Sequence, residues 1–194
     1  MGVIKTALEI ALERTEAVKS DKIGIAQYEA KQKGKKLAND YLQGDIDLAG
    51  EIKKSKDADR TSLKQGVFDI LVTQINLPSS PESAQKAEKA IKGLESIIKS
   101  KVFSAMAGQL MQLFGQFLQE SAQYEQAIRQ QYSPKLRQKE EELSRRYGRE
   151  VHLDPMQDPE FIAFYNQHMN ALKGNYEQAV TQAREEARKM FTET

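Results

Sequence analysis

Apolar residues recur at steps of three and four along most of the chain, the spacing that draws a single stripe along an α-helix. In the first third, Ile4, Leu8, Ala11 and Val18 predict a helix from about Val3 to Lys19. Ala26, Ala30, Leu37 and Tyr41 predict a second, for which Ser20 and Asp21 offer N-caps. Gly34 falls on the apolar face of that second helix, where glycine costs about 1 kcal/mol relative to alanine, and so marks a place where another helix comes close. Gly44, Asp45 and Asp47 signal a turn, followed by a short helical piece from about Asp47 to Lys54. Leu63, Val67, Ile70, Leu71 and Ile75 then trace a third substantial helix.

The segment Leu77-Pro78-Ser79-Ser80-Pro81-Glu82 stops one helix and starts another: Pro78 cannot continue a helix, Ser80 can cap, and Pro81 suits the first helical position. Ala84, Ala87, Ile91, Leu94 and Ile98 open the next helix, with Glu82/Lys86, Glu88/Lys92 and Glu95/Lys99 paired at i,i+4 on its water side. With no break at Ser100 or Gly108 this helix would run to Tyr132, about 50 residues or roughly 75 Å at 1.5 Å per residue. Ser133-Pro134 is expected to end or restart it, and Pro134 to Tyr147 reads as a nearly all-polar helical piece with Gly148 as its cap. Asp158 caps a last helix beginning at Pro159, in which Ile162, Tyr165, Met169, Leu172, Tyr176, Ala179, Ala183 and Met190 follow a heptad that Glu186 interrupts. The predicted fold is therefore all-α: an elongated bundle of six or seven helices forming one domain over residues 1–194. Shorter helices in 1–77 pack on the base of a long antiparallel, coiled-coil-like hairpin over 81–194, with its tip near 148–159.

Within that hairpin, Gln109, Gln112, Gln116, Gln119, Gln123, Gln126 and Gln130 form an unbroken three-and-four alternation of their own. Phe103, Met106, Leu110, Leu113, Phe114, Phe117 and Leu118 occupy the other side, and no charged residue lies between Lys101 and Glu120. Gly108, Gly115 and Ala122 share the heptad position beside the glutamines, where small residues let a second backbone approach. A solvated face filled with a good helix former is the plain alternative. In a chain with 29% charged residues, however, so long an uncharged stretch argues for a covered face, first by the chain's own helices and second by a partner. Gln109, Gln112, Gln116, Gln119 and Gln123, with Phe103, Phe114 and Phe117, are the candidate interface.

Composition narrows the function. At 39% hydrophobic and 7% aromatic residues with no Trp, the chain is thin for a compact globule and suits long helices that bury stripes. A formal net charge of +1 leaves no global field to concentrate nucleic acid or acidic substrates. The absence of cysteine removes disulfides, thiolate metal sites, thiol nucleophiles and palmitoylation, and fits a cytoplasmic location. No secretory signal is recognisable, and the one candidate span, Val102 to Gln119, carries Ser104 and four glutamines that hydrocarbon would not tolerate. The opening Met1-Gly2-Val3-Ile4-Lys5-Thr6 matches a loose myristoylation pattern but reads more simply as a helix start.

No phosphate-cradling glycine loop, His-Glu-x-x-His pattern, nucleophile elbow or paired Glu-x-x-His motif occurs. His152 with Asp154, Asp158 and Glu160 meets no established ligand spacing, and capping explains the aspartates. The expectation is a non-enzymatic helical protein–protein interaction module, an adaptor, scaffold or assembly factor with a protein partner or self-association, and with no cofactor or metal. A nucleic-acid- or ribosome-associated factor is the alternative, using the basic patch Lys31, Lys33, Lys35 and Lys36 together with lysines at 53–56 and 86–101. A membrane-surface protein ranks third.

Overall fold

The computed structural model describes residues 7–44 and 46–193, with side chains from Lys22 onward; the Gly2 pattern lies outside them. Six helices follow in order: α1 (Ala7–Gln43), α2 (Leu48–Lys54), α3 (Asp57–Thr73), α4 (Pro81–Ile98), α5 (Lys101–Tyr147) and α6 (Pro159–Thr192), with one 3₁₀ turn at Pro155–Gln157. Among the described residues there is no strand, and the chain is an all-α bundle.

Ser20 and Asp21 do not begin a helix, because α1 runs through them. Stopping there would require a second costly nucleation, whereas continuing adds one backbone hydrogen bond per residue. α1 and α3 run antiparallel and cross at a pair of glycines. A Cβ on Gly34 would overlap the carbonyl of Leu63, and a Cβ on Gly66 would overlap that of Lys31. The close approach read from Gly34 is real, and Gly66 is its counterpart.

α4 starts as its sequence indicates. The Ser80 hydroxyl accepts from Ser83 N at 3.2 Å, the Ser83 hydroxyl accepts from Ser80 N at 2.9 Å, and Pro81 follows. Tyr41 Oη donates to the Lys89 carbonyl at 3.0 Å and Lys89 Nζ to the Gly44 carbonyl at 2.8 Å, pinning the end of α1 to α4.

The helix does break before Gly108. Lys99 adopts a left-handed conformation with φ of 50°, and Ser100 caps α5. The turn lets the apolar faces of α4 and α5 enter one core, where Ile91, Leu94, Ile97 and Ile98 meet Phe103, Ala107, Leu110 and Phe114. α3 contributes Val67, Phe68 and Leu71, and α6 contributes Val180, Ala183 and Ala187. Phe68 stacks on Phe191 with ring centroids 4.1 Å apart, holding the end of α6 to α3.

Pro134, by contrast, neither ends nor restarts a helix, since α5 continues through it to Tyr147. Proline forfeits one i→i−4 bond and crowds the preceding turn. Ile128, Tyr132 and Leu136 nevertheless keep contact with Phe161, Phe164, Tyr165 and Met169 of α6, and Pro134 itself is exposed. Packing on both sides of the proline outweighs the local penalty. α5 and α6 run antiparallel: Phe117 meets Tyr176, Tyr124 meets His168, Tyr132 meets Phe161, and Lys139 reaches Asp158. Gly148, at φ 64°, closes α5 in the left-handed conformation. The connecting segment is then tied back to α5, with Val151 N donating to Ser144 Oγ at 2.9 Å and Leu153 N to Glu140 Oε1 at 2.8 Å. Val151 and Leu153 belong to no strand.

Candidate interaction face

Packing of α5 against α4 and α6 fixes which way its two stripes point. Phe103, Phe114 and Phe117 are all buried, together with Ala107 and Leu110. Gln109, Gln112, Gln116, Gln119, Gln123, Gln126 and Gln130 are all exposed. This overturns the expectation that the chain's own helices cover the glutamines. A helix with a wide apolar face needs neighbours on that face first, and α4 and α6 supply them; among the described residues no other helix covers the opposite side. The three phenylalanines are consequently core residues that present nothing to a partner.

The outward face has an unusual chemistry. From Val102, which is 65% exposed, through Ser104, Ala105, Gly108, Gln109, Gln112, Gly115, Gln116 and Gln119, the exposed positions carry no charge. Beside it a groove of about 300 Å³ runs between α5 and α6, floored by Met106, Leu110, Leu113, Ala179 and Ala183 and edged by Gln109, Gln182 and Glu186. The floor of this groove is apolar, and its edge carries two amides and one carboxylate.

A Cβ at Gly108 or Gly115 would meet nothing within 4 Å among the described residues. Each of these glycines weakens α5 with no packing reason among the described residues. Gly108→Ala and Gly115→Ala are therefore each expected to raise the stability of the dilute chain by up to about 1 kcal/mol. Denaturant unfolding reads this, and a loss in either variant would reveal a close neighbour along that side.

The basic patch does not hold together as one surface. Lys31 is turned toward α3 and pairs with Asp69 at 2.8 Å, and Lys35 lies half-buried on the same side. Lys33 and Lys36 face outward. Burial pushes the Asp69 carboxyl up, but the bonds from Lys31 and Gln65 outweigh it and hold it below the usual carboxylate range. Crossing by α3 has divided four sequence neighbours between two directions.

His152, Asp154, Asp158 and Glu160 are likewise not brought together. His152 is exposed near Glu140 and Glu150, and Asp154 caps the 3₁₀ turn by accepting from Met156 N at 2.9 Å. Asp158 turns inward instead. Its carboxylate accepts from Lys139 Nζ at 2.9 and 2.8 Å, from Tyr132 Oη at 3.1 Å, and from Glu160 N as the N-cap of α6. Glu160 in turn pairs with Lys139 at 2.7 Å and Lys135 at 3.0 Å. Burial pushes the Asp158 carboxyl up, yet Lys139, the Glu160 amide and the Tyr132 hydroxyl together keep it below its ordinary value. The bonds from Lys139 and then Lys135 hold Glu160 down at about 2, and bonds to Asp158 and then Glu160 raise Lys139 above its ordinary value. These bonds pair Asp158 and Glu160 with Lys139 and Lys135 and fasten the α5–α6 turn. The sequence marks Asp158 as a cap, but Lys135, Lys139 and Tyr132 join it only through the α5–α6 register, which no local signal carries.

No helix among the described residues is long and apolar enough to cross a membrane. No curated protein matches the chain, and no solved structure does. A family model described as "Family of unknown function (DUF6657)" matches residues 49–189, from within α2 to near the end of α6; the uncharged face of α5 and the Asp158 network both lie inside that span, and the chain belongs to this family.

Proposed function

We propose that the protein is a non-enzymatic helical interaction module, an adaptor, scaffold or assembly factor that engages a protein partner along the outward face of α5. One observation carries this reading: the exposed positions from Val102 to Gln119 are free of charge in a chain that is 29% charged. Partly or fully exposed helix positions elsewhere carry ion pairs such as Glu88–Lys92 and Glu125–Arg129. Charged residues are depleted at the centres of protein contacts because each must shed its hydration there, whereas an amide loses less and can pair with whatever it meets.

The test compares capture from native extract by the wild-type chain and by Gln112→Glu/Gln119→Glu. Both glutamines are exposed, so circular dichroism and thermal unfolding are expected to match wild type while specific partners disappear. An unchanged partner set with the fold intact would reject this face as the contact surface.

A further inference from the structure

We infer that the outward face of α5 takes a second copy of this chain, with the two α5 helices lying antiparallel about a two-fold axis. This rests on the interaction-module reading and names its partner. An isologous contact presents one patch to itself, so any charge at its centre would meet its own like charge. The face from Val102 to Gln119 has none, and its glutamines carry amides that both donate and accept, which makes the surface complementary to its own copy.

The order of large and small residues selects a direction. In an antiparallel pairing with Gly108 level with Gln119 of the second copy, Gln112 falls level with Gly115, and Ala105 with Ala122. Each central layer then sets one glutamine beside one glycine, and these are the glycines whose side faces nothing within 4 Å among the described residues. Gly24 and Gly174 are equally open, so openness alone singles out nothing; the alternation with glutamines on an uncharged face does. A parallel pairing would stack glycine on glycine and glutamine on glutamine, leaving voids between crowded layers, and would bring Lys101 against itself. Antiparallel helices also oppose their dipoles. Lys101 to Gln126 spans about 39 Å, and a strip about 10 Å wide gives roughly 400 Å² per copy, about half the standard size and in the range of weak, transient contacts. The dimer is therefore reversible and concentration-dependent.

Sedimentation equilibrium of the full chain from about 5 to 500 µM, a range suited to an interface of this size, is expected to show the mass rising from 22.0 kDa toward twice that. Gln112→Glu/Gln119→Glu and Gln112→Lys/Gln119→Lys, each with wild-type circular dichroism, should each dissociate at least ten times more readily, while an equimolar mixture of the two recovers the dimer. The chain has no cysteine, so Gly108→Cys and Gln119→Cys proteins report direction: mixed and oxidised, they should form the heterodimeric cross-link faster than either forms its own. A wild-type chain at 22.0 kDa throughout overturns the second copy as partner, and Gln112-dependent capture of another protein would still leave the module reading standing. Charge variants that dimerise like wild type, a mixture that fails to recover, or faster cross-linking of each cysteine variant with itself would equally overturn the proposed antiparallel contact.

Discussion

Gly66→Ala is expected to lower the stability of the chain by about 2–3 kcal/mol, even though alanine is the better helix former by about 1 kcal/mol. The new methyl would point at the carbonyl group of Lys31 and toward Lys35 N, and the reciprocal Gly34→Ala at the carbonyl group of Leu63. These are backbone atoms inside helices, which cannot swing aside as the end of a flexible side chain can. α1 and α3 must separate, and dispersion contacts around Ala30, Ala38, Leu63 and Val67 weaken along with them. For a chain of this length the loss corresponds to a fall of about 5–10 °C in Tm. Once one alanine has opened the crossing the second has room, so Gly34→Ala/Gly66→Ala should cost clearly less than the sum of the two single changes. Thermal unfolding of the three variants reads both effects. A Gly66→Ala chain as stable as wild type would mean that α1 and α3 do not cross at these glycines.

This crossing also shows what a linear reading of the sequence can and cannot reach. Gly34 is conspicuous because it interrupts an apolar stripe, but Gly66 becomes its counterpart only once α3 is known to lie across α1. Signals confined to one turn of helix were legible: the Ser80–Pro81 start, the Asp158–Pro159 start and the Gly148 stop all depend on backbone groups within a few residues. The break at Lys99 was not, because three-and-four periodicity continues on both sides of it and lysine is a rare choice for a left-handed residue. Pro134 misled in the opposite sense, since its local penalty is real and is overridden by contacts with α6. For the candidate site, the two opposed stripes of α5 were legible as periodicity. Which one faces solvent was not, because absence of charge along a helix face does not by itself say whether the chain's own helices lie against it.

Asp158→Ala is expected to cost about 2–4 kcal/mol, concentrated at the α5–α6 turn. The change removes the N-cap of α6, worth about 1 kcal/mol, and withdraws the acceptor of the buried Tyr132 hydroxyl, whose only other acceptor among the described residues is Glu160 at a longer 3.4 Å. Asp158→Asn keeps a side-chain oxygen for the cap but loses the charge that Lys139 holds, so it separates the two contributions. Acid should act through the same groups. Asp158 and Glu160 both bind protons less tightly in the folded chain than in the unfolded one, Glu160 titrating at about 2. Their contribution is therefore complete above about pH 5, where the unfolded carboxyls are already ionised, and is lost as pH falls through the folded values. Lys139, raised in the folded chain, contributes throughout this range and loses its contribution only at strongly alkaline pH. The stability gap between wild type and Asp158→Asn should thus be widest near neutrality and shrink toward pH 2.5. Glu160 is exposed, so about 0.5 M salt should weaken its share while sparing that of Asp158, which is 8% exposed. Hydrogen exchange resolved by residue is the decisive measurement. Amides of the first α6 turns should lose protection below about pH 4 while those of α3 and α4, whose core is apolar, keep theirs. Uniform loss across all six helices would show that the turn is not a separately fastened unit.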